Sequence, residues 1–145
     1  MWYEPTLKDM NRENGGSVGN IRMDRQKALQ DYLFRWVRLG QMGVTIEELL
    51  KKRELSRIAI YGYDKIAECL VYELKSGLVQ VECIIDRKGK GILTDFPTVT
   101  LQDIKPLNLD AIIICPVDDY GNIKKDIEKI CDVPLITFEE LIYEL

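Results

Sequence analysis

The sequence predicts an α/β fold: three layers around a parallel sheet of strand order 3-2-1-4-5, preceded by an N-terminal helical hairpin. Three observations carry this. From Arg57 onward the apolar runs are short and continuous, as in strands that are covered on both faces. Stretches with apolar residues every three or four positions separate those runs, so strand and helix alternate. Two further helical stretches stand ahead of the first strand, which sets residues 23–55 apart as a hairpin and 56–145 as the sheet domain.

Residues 1–22 read as a flexible leader, because Asn-Arg-Glu-Asn-Gly-Gly-Ser-Val-Gly-Asn is polar, glycine-rich and without period. From Asp24, the positions of Leu29, Tyr32, Leu33, Trp36, Val37 and Leu39 predict an amphipathic helix that ends at Gly40 and Gly43. Thr45 then offers an N-cap, with Glu48 three residues on and Val44 placed to staple onto Leu49, so a second helix runs to about Leu55.

Ile58-Ala59-Ile60-Tyr61 is the first strand, followed by a helix through Ile66, Ala67, Leu70, Val71 and Leu74 that stops at Gly77. Val79–Ile85 is the second strand and ends at Asp86; Arg87–Gly91 is a loop, and Pro97–Val99 a brief third strand. Ala111–Cys115 is the fourth strand, Asn122–Cys131 a helix with Ile123, Ile127 and Ile130 on one face, Pro134–Ile136 the fifth strand and Phe138–Leu145 a closing helix. One pattern occurs three times, headed by Thr45, Thr100 and Thr137: a capping Thr, an acid three residues later and an apolar staple. It reads as one capping chemistry reused at short helix starts, not as an internal repeat.

A chain of 145 residues is one domain's worth. Its 46% apolar and 30% charged residues suit a globular protein, and no apolar run approaches a membrane span. Met-Trp-Tyr-Glu-Pro is neither basic nor apolar, so the expectation is no signal peptide, no membrane partner and a cytoplasmic protein. Residues 57–145 carry 10 Lys and Arg against 16 Asp and Glu, a balance that opposes nucleic acid. There is no histidine, so imidazole bases, imidazole zinc ligands and His-containing triads are excluded. Cys69, Cys83, Cys115 and Cys131 form no C-x-x-C pair and lie in apolar runs, where a free thiol behaves as a small buried hydrophobe.

In an open parallel sheet, ligands bind beyond the carboxyl ends of the strands. That rim holds Gly62, Tyr63 and Asp64 after the first strand, Asp86 and Arg87 after the second, and Cys115 and Pro116 after the fourth. These seven are the candidate binding residues. The layout is that of a dinucleotide fold, with Asp86 placed 24 residues after Gly62 to grip a ribose hydroxyl. Against the pattern G-x-G-x-x-G, however, the chain offers Gly62, Asp64 and Ala67. A carboxylate at the second position sets like charge beside a pyrophosphate, a repulsion of about 4 kcal/mol at ~4 Å and an effective dielectric of ~20. Asp64 also reads as an N-cap that occupies the N–H groups a phosphate needs. Cys115 has no histidine to activate it as a nucleophile, and Asp118 and Asp119, adjacent before a helix, complement its dipole rather than hold a cation. Arg87, Lys88 and Lys90 form a basic loop near Asp86, solvated unless it meets an anionic ligand.

Ile60-Tyr61-Gly62, Ile85-Asp86, Pro97-Thr98-Val99, Thr100 and Asp110–Ile114 together resemble the Rossmann-like nucleotide-binding modules associated with bacterial nucleotide-sugar and surface-polysaccharide enzymes. The resemblance implies a Rossmann-like sheet that serves as a partner domain of a sugar-modifying enzyme or as a small separate protein. With no catalytic constellation of its own, the chain then reads as a non-catalytic or regulatory nucleotide-binding-like module in sugar or polysaccharide metabolism. The alternatives are a fragment of an NAD(P)-dependent sugar oxidoreductase or epimerase, and a protein–protein adaptor. Candidate ligands are NAD(P), weakened by Asp64, and a nucleotide or nucleotide-sugar. The N-terminal helices are the expected contact with a second copy or a partner enzyme, Trp36 being the anchor of a homodimer.

Overall fold

The computed structural model describes residues 18–87, 95–104 and 108–144. The chain runs α1 (Val18–Gln41), α2 (Ile46–Lys52), β1 (Arg57–Tyr61), α3 (Lys65–Glu73), β2 (Gln80–Ile85), β3 (Thr98–Val99), β4 (Ala111–Ile114), α4 (Tyr120–Glu128), β5 (Leu135–Thr137) and α5 (Phe138–Ile142). Short 3-10 turns at Leu74–Ser76 and Leu101–Asp103 extend α3 and follow β3. All strand pairs are parallel and the sheet order is 3-2-1-4-5, with β1 at its centre. Helices cover both faces, as the sequence predicts.

Two crossovers explain the layers. The chain leaves β1 through α3 toward β2 and leaves β4 through α4 toward β5, in opposite directions along the sheet. Right-handed crossovers then put α3 and α4 on opposite faces. Ile58, Ile60, Val81, Ile84, Ala111, Ile113 and Ile136 face α3 and are packed with buried side chains of α2, α3 and α5. Ala59, Tyr61, Ile85, Ile112 and Ile114 face the other way, onto Ile123 and Ile127 of α4. Val81 and Ile84 share a face despite their odd spacing because β2 shifts register against β1 between Ile58 and Ala59, a bulge that flips the alternation.

The N-terminal helices are not a separate body. Leu39, Ile46, Leu49 and Leu50 are buried in the same cluster as β1, and Leu29, Tyr32, Leu33 and Trp36 pack against it. Trp36 lies 4.9 Å from Phe138 ring to ring and donates its indole N–H to Glu73. The side chain expected to anchor a homodimer is thus used within the chain, because α1 lays its apolar stripe onto α3 and α5. Phe34, Val37 and Met42 are the large apolar side chains of this region left exposed. Helix α1 also begins at Val18, inside the stretch expected to be irregular; the rest of that leader lies outside the described residues.

Element ends follow local chemistry. Thr45 and Thr137 accept from the N–H groups of Glu48 and Glu140, both at 3.1 Å, as capping residues should. Thr100 differs: its hydroxyl donates to the Asp103 carboxylate at 3.0 Å and caps no backbone group, so a single 3-10 turn forms there. Gly77 ends α3 and its 3-10 turn in the left-handed conformation.

Candidate functional site

The carboxyl ends of β1 and β4 diverge into α3 and α4, which opens a crevice where the strand order reverses. Gly62 makes its first wall. Its φ is +83°, and a Cβ there would stand 2.7 Å from Pro116 Cγ, so only glycine fits between the β1 turn and the β4 turn. The Gly62 N–H donates to Ile85 carbonyl at 2.8 Å and the Cys115 N–H to Tyr61 carbonyl at 3.2 Å, which fixes the three strand ends together.

Asp86 closes the turn from the side. It follows β2, its own N–H donates to Val99 carbonyl, and its carboxylate accepts from the Tyr63 N–H at 3.0 Å. Asp64 is the N-cap of α3 and accepts from the Ala67 N–H at 2.9 Å. Burial pushes the Asp64 carboxyl above its ordinary range, while backbone N–H groups of Ala67, of Asp64 itself and of Ile66 pull the other way. The donors at the start of α3 therefore already face a carboxylate of the chain. A diphosphate arriving at this turn meets negative charge where a dinucleotide fold presents free N–H groups.

Six of the seven candidate residues come together: Gly62, Tyr63, Asp64, Asp86, Arg87 and Pro116 line one cavity of about 410 Å³. Cys115 does not join them. It is buried in the core cluster on the α3 face, and burial, helped by the charge of Asp64, raises its thiol well above the ordinary value. It stays protonated and inert, because the strand tip turns the side chain inward. Of the other cysteines, Cys131 is buried and Cys83 half-buried, but Cys69 is exposed on the outer face of α3, against the expectation of burial. Lys88 and Lys90 lie outside the described residues.

Sequence reasoning missed part of the lining. Tyr61, Asp118, Asp119 and Ile123 complete the first cavity, and a second one of about 480 Å³ adjoins it, sharing Tyr61, Asp86 and Arg87. Thr100, Leu101, Gln102, Asp126, Lys129 and Ile130 belong to this second cavity. It opens where the described part of the β3–β4 connection is a 3-10 turn rather than a covering helix. A signal was present in the short stretch between Val99 and Asp110, which leaves little room for that helix. Asp118 forms an ion pair with Arg25, and Asp119, in the left-handed conformation with φ +65°, accepts from Asn122 Nδ2 at 2.6 Å. Among the described residues no group of acids and thiols is arranged to hold a metal ion, and no helix is long and apolar enough to cross a membrane.

A family model described as C2185-like, N-terminal, matches residues 54–135, which spans β1 through the start of β5 and so includes the whole crevice. No curated protein and no solved structure matches the chain.

Proposed function

This chain belongs to the C2185-like, N-terminal family, and we propose that it is a small cytoplasmic, non-catalytic module with a nucleotide-binding type of crevice, regulatory in sugar or cell-surface polysaccharide metabolism. One observation carries the reading. Asp86 and Gly62 keep the framework that holds a ribose, while Asp64 occupies the donors that would hold a pyrophosphate. A site of this kind senses a ligand through its hydroxyl groups and does not position a dinucleotide for hydride transfer.

The lack of imidazole and of an accessible thiol at the rim supports the non-catalytic part. The sequence has no histidine, and the one thiol at the rim, Cys115, is buried and protonated. The link to sugar metabolism is supported by Ile60-Tyr61-Gly62, Ile85-Asp86 and Asp110–Ile114, the residues that resemble nucleotide-sugar modules. Calorimetric titration with NAD+, a nucleotide-sugar and adenosine tests the reading. Binding of adenosine or the nucleotide-sugar with NAD+ no tighter is the expected pattern. A micromolar dissociation constant for NAD+ alone overturns it in favour of the oxidoreductase alternative.

A further inference from the structure

Tyr61 ends β1 on the α4 face of the sheet, is only 8% exposed, and lines the cavity of about 480 Å³. Its hydroxyl has no hydrogen-bond partner among the described residues. Leaving a buried hydroxyl unpaired is costly, and the cavity is where a partner can come from. We infer that this cavity is a site for a free α-amino acid with an apolar side chain. The Tyr61 hydroxyl, Arg87 and Lys129 take its carboxylate, and Asp126 takes its ammonium group. The site goes beyond the nucleotide-type crevice at Gly62, Asp64 and Pro116 and does not depend on a nucleotide binding there.

The charges of the lining balance. Asp86, Arg87, Asp126 and Lys129 bring two carboxylates and two cations to one cavity. Such a lining suits a molecule that carries both signs and no net charge, and disfavours a phosphate or a bare cation. Asp86 is engaged within the chain, by Tyr63 N–H among others, and takes no part. Arg87, Asp126 and Lys129 are exposed and enter no ion pair among the described residues. Asp126 and Lys129 stand three residues apart on α4 and its C-cap, a spacing at which opposite charges often pair. On the next face of the same helix Lys124 and Glu128 do come within 3.9 Å. Asp126 and Lys129 line the cavity instead, joined there by Arg87 from the end of β2. Side chains at this spacing start about 5–6 Å apart, near enough for one small molecule to reach both. Arginine grips a carboxylate in a fork, lysine adds a point charge, and the tyrosine O–H is a further donor. Leu101 and Ile130, the latter 40% exposed, offer apolar surface to the ligand's side chain. The volume lies within the roughly 300–1,000 Å³ of small-molecule clefts.

Isothermal titration with L-leucine, L-phenylalanine and the N-acetyl and carboxamide derivatives of each tests the inference, with circular dichroism to confirm that every variant folds. The expected result is that at least one of the two amino acids binds, and that blocking either of its charged groups weakens it about tenfold or more. Asp126→Asn then abolishes the preference over the N-acetyl form. Lys129→Met and Arg87→Met each reduce the preference over the amide about tenfold, and Tyr61→Phe, which keeps the ring, weakens the amino acid severalfold. Lys124→Met, on the same helix but paired with Glu128, leaves binding unchanged. An N-acetyl form that binds as tightly as its amino acid overturns the role of Asp126, and an equally tight amide overturns that of Arg87 and Lys129; either result sinks the inference. So does the absence of binding of both amino acids to folded protein. None of these outcomes touches the crevice reading, which stands or falls with the titration of adenosine, nucleotide-sugar and NAD+.

Discussion

The indole N–H of Trp36 donates to Glu73 Oε1 at 3.0 Å, while Glu73 Oε2 accepts from the Ile46 N–H at 2.9 Å. One carboxylate on α3 thereby holds α1 and the first residue of α2. Both partners are donors, so the position needs two acceptors. Glutamine at 73 has one, and its NH2 would turn a donor toward a donor. Glu73→Gln should cost about 1–3 kcal/mol, the loss of one hydrogen bond to a charged group. Trp36→Phe, which removes the other end of the same bond, should cost about 1–2 kcal/mol. In urea denaturation the double variant should be less destabilised than the sum of the two, by at least ~0.5 kcal/mol. Strict additivity would mean that the two residues do not depend on each other.

The same pair shows the limit of what is legible in a sequence. The central strands could be read because Ile58-Ala59-Ile60-Tyr61 and Ala111–Ile114 are continuous apolar runs, and Ile58, Ile60, Ile84, Ile113 and Ile136 are all buried as the parallel-sheet reading requires. Asp64 could be read as a cap because a cap and its helix are adjacent in the chain. The Trp36–Glu73 bond joins residues 37 apart, and nothing local to either one encodes it. Likewise the bond from Tyr63 N–H to Asp86 depends on how two loops approach, and the bulge in β2 is a property of strand pairing. Cys69 was within reach. The apolar stripe of Ile66, Ala67, Leu70, Val71 and Leu74 leaves position 69 on the outside of the helix.

Gly62→Ala puts a Cβ 2.7 Å from Pro116 Cγ at a backbone φ of +83°. The proline ring is not a flexible side-chain end, so strain and clash add. The expected loss is about 2–4 kcal/mol, on the order of 10 °C in Tm. Differential scanning calorimetry measures it directly. A change below ~0.5 kcal/mol would show that the β1 and β4 turns can move apart.

Cysteine labelling separates the four thiols. Cys69 is exposed and should react with iodoacetamide at pH 8 within minutes. Cys83 is half-buried, and desolvation, with Glu82 nearby, raises its thiol and slows it. Cys115 and Cys131 are buried and should stay unmodified until the protein unfolds. Mass spectrometry of the digested protein reads each site, and rapid modification of Cys115 would contradict its place in the core.

Asp64 ties stability and ligand choice to one carboxyl. Its folded-state pKa is raised by burial, so its protonated form is favoured in the folded protein. Stability from this group is therefore complete below the unfolded carboxyl range and declines as pH rises through the higher folded value. Asp64→Asn keeps a capping oxygen and has no charge to desolvate, so the variant should lack that decline and at pH 7 be at least as stable as wild type. Asp64→Gly acts differently. Glycine is tolerated at an N-cap at a cost of a few tenths of a kcal/mol, and it removes the carboxylate from the Ala67 N–H. The freed donors at the start of α3 then face the crevice without like charge beside them. Affinity for NAD+ should rise by about tenfold or more over wild type, while Asp64→Asn, whose oxygen still accepts from Ala67 N–H, should gain less. Titration of the three proteins side by side decides it. Equal NAD+ affinity in all three would mean that Asp64 is not what keeps a pyrophosphate out.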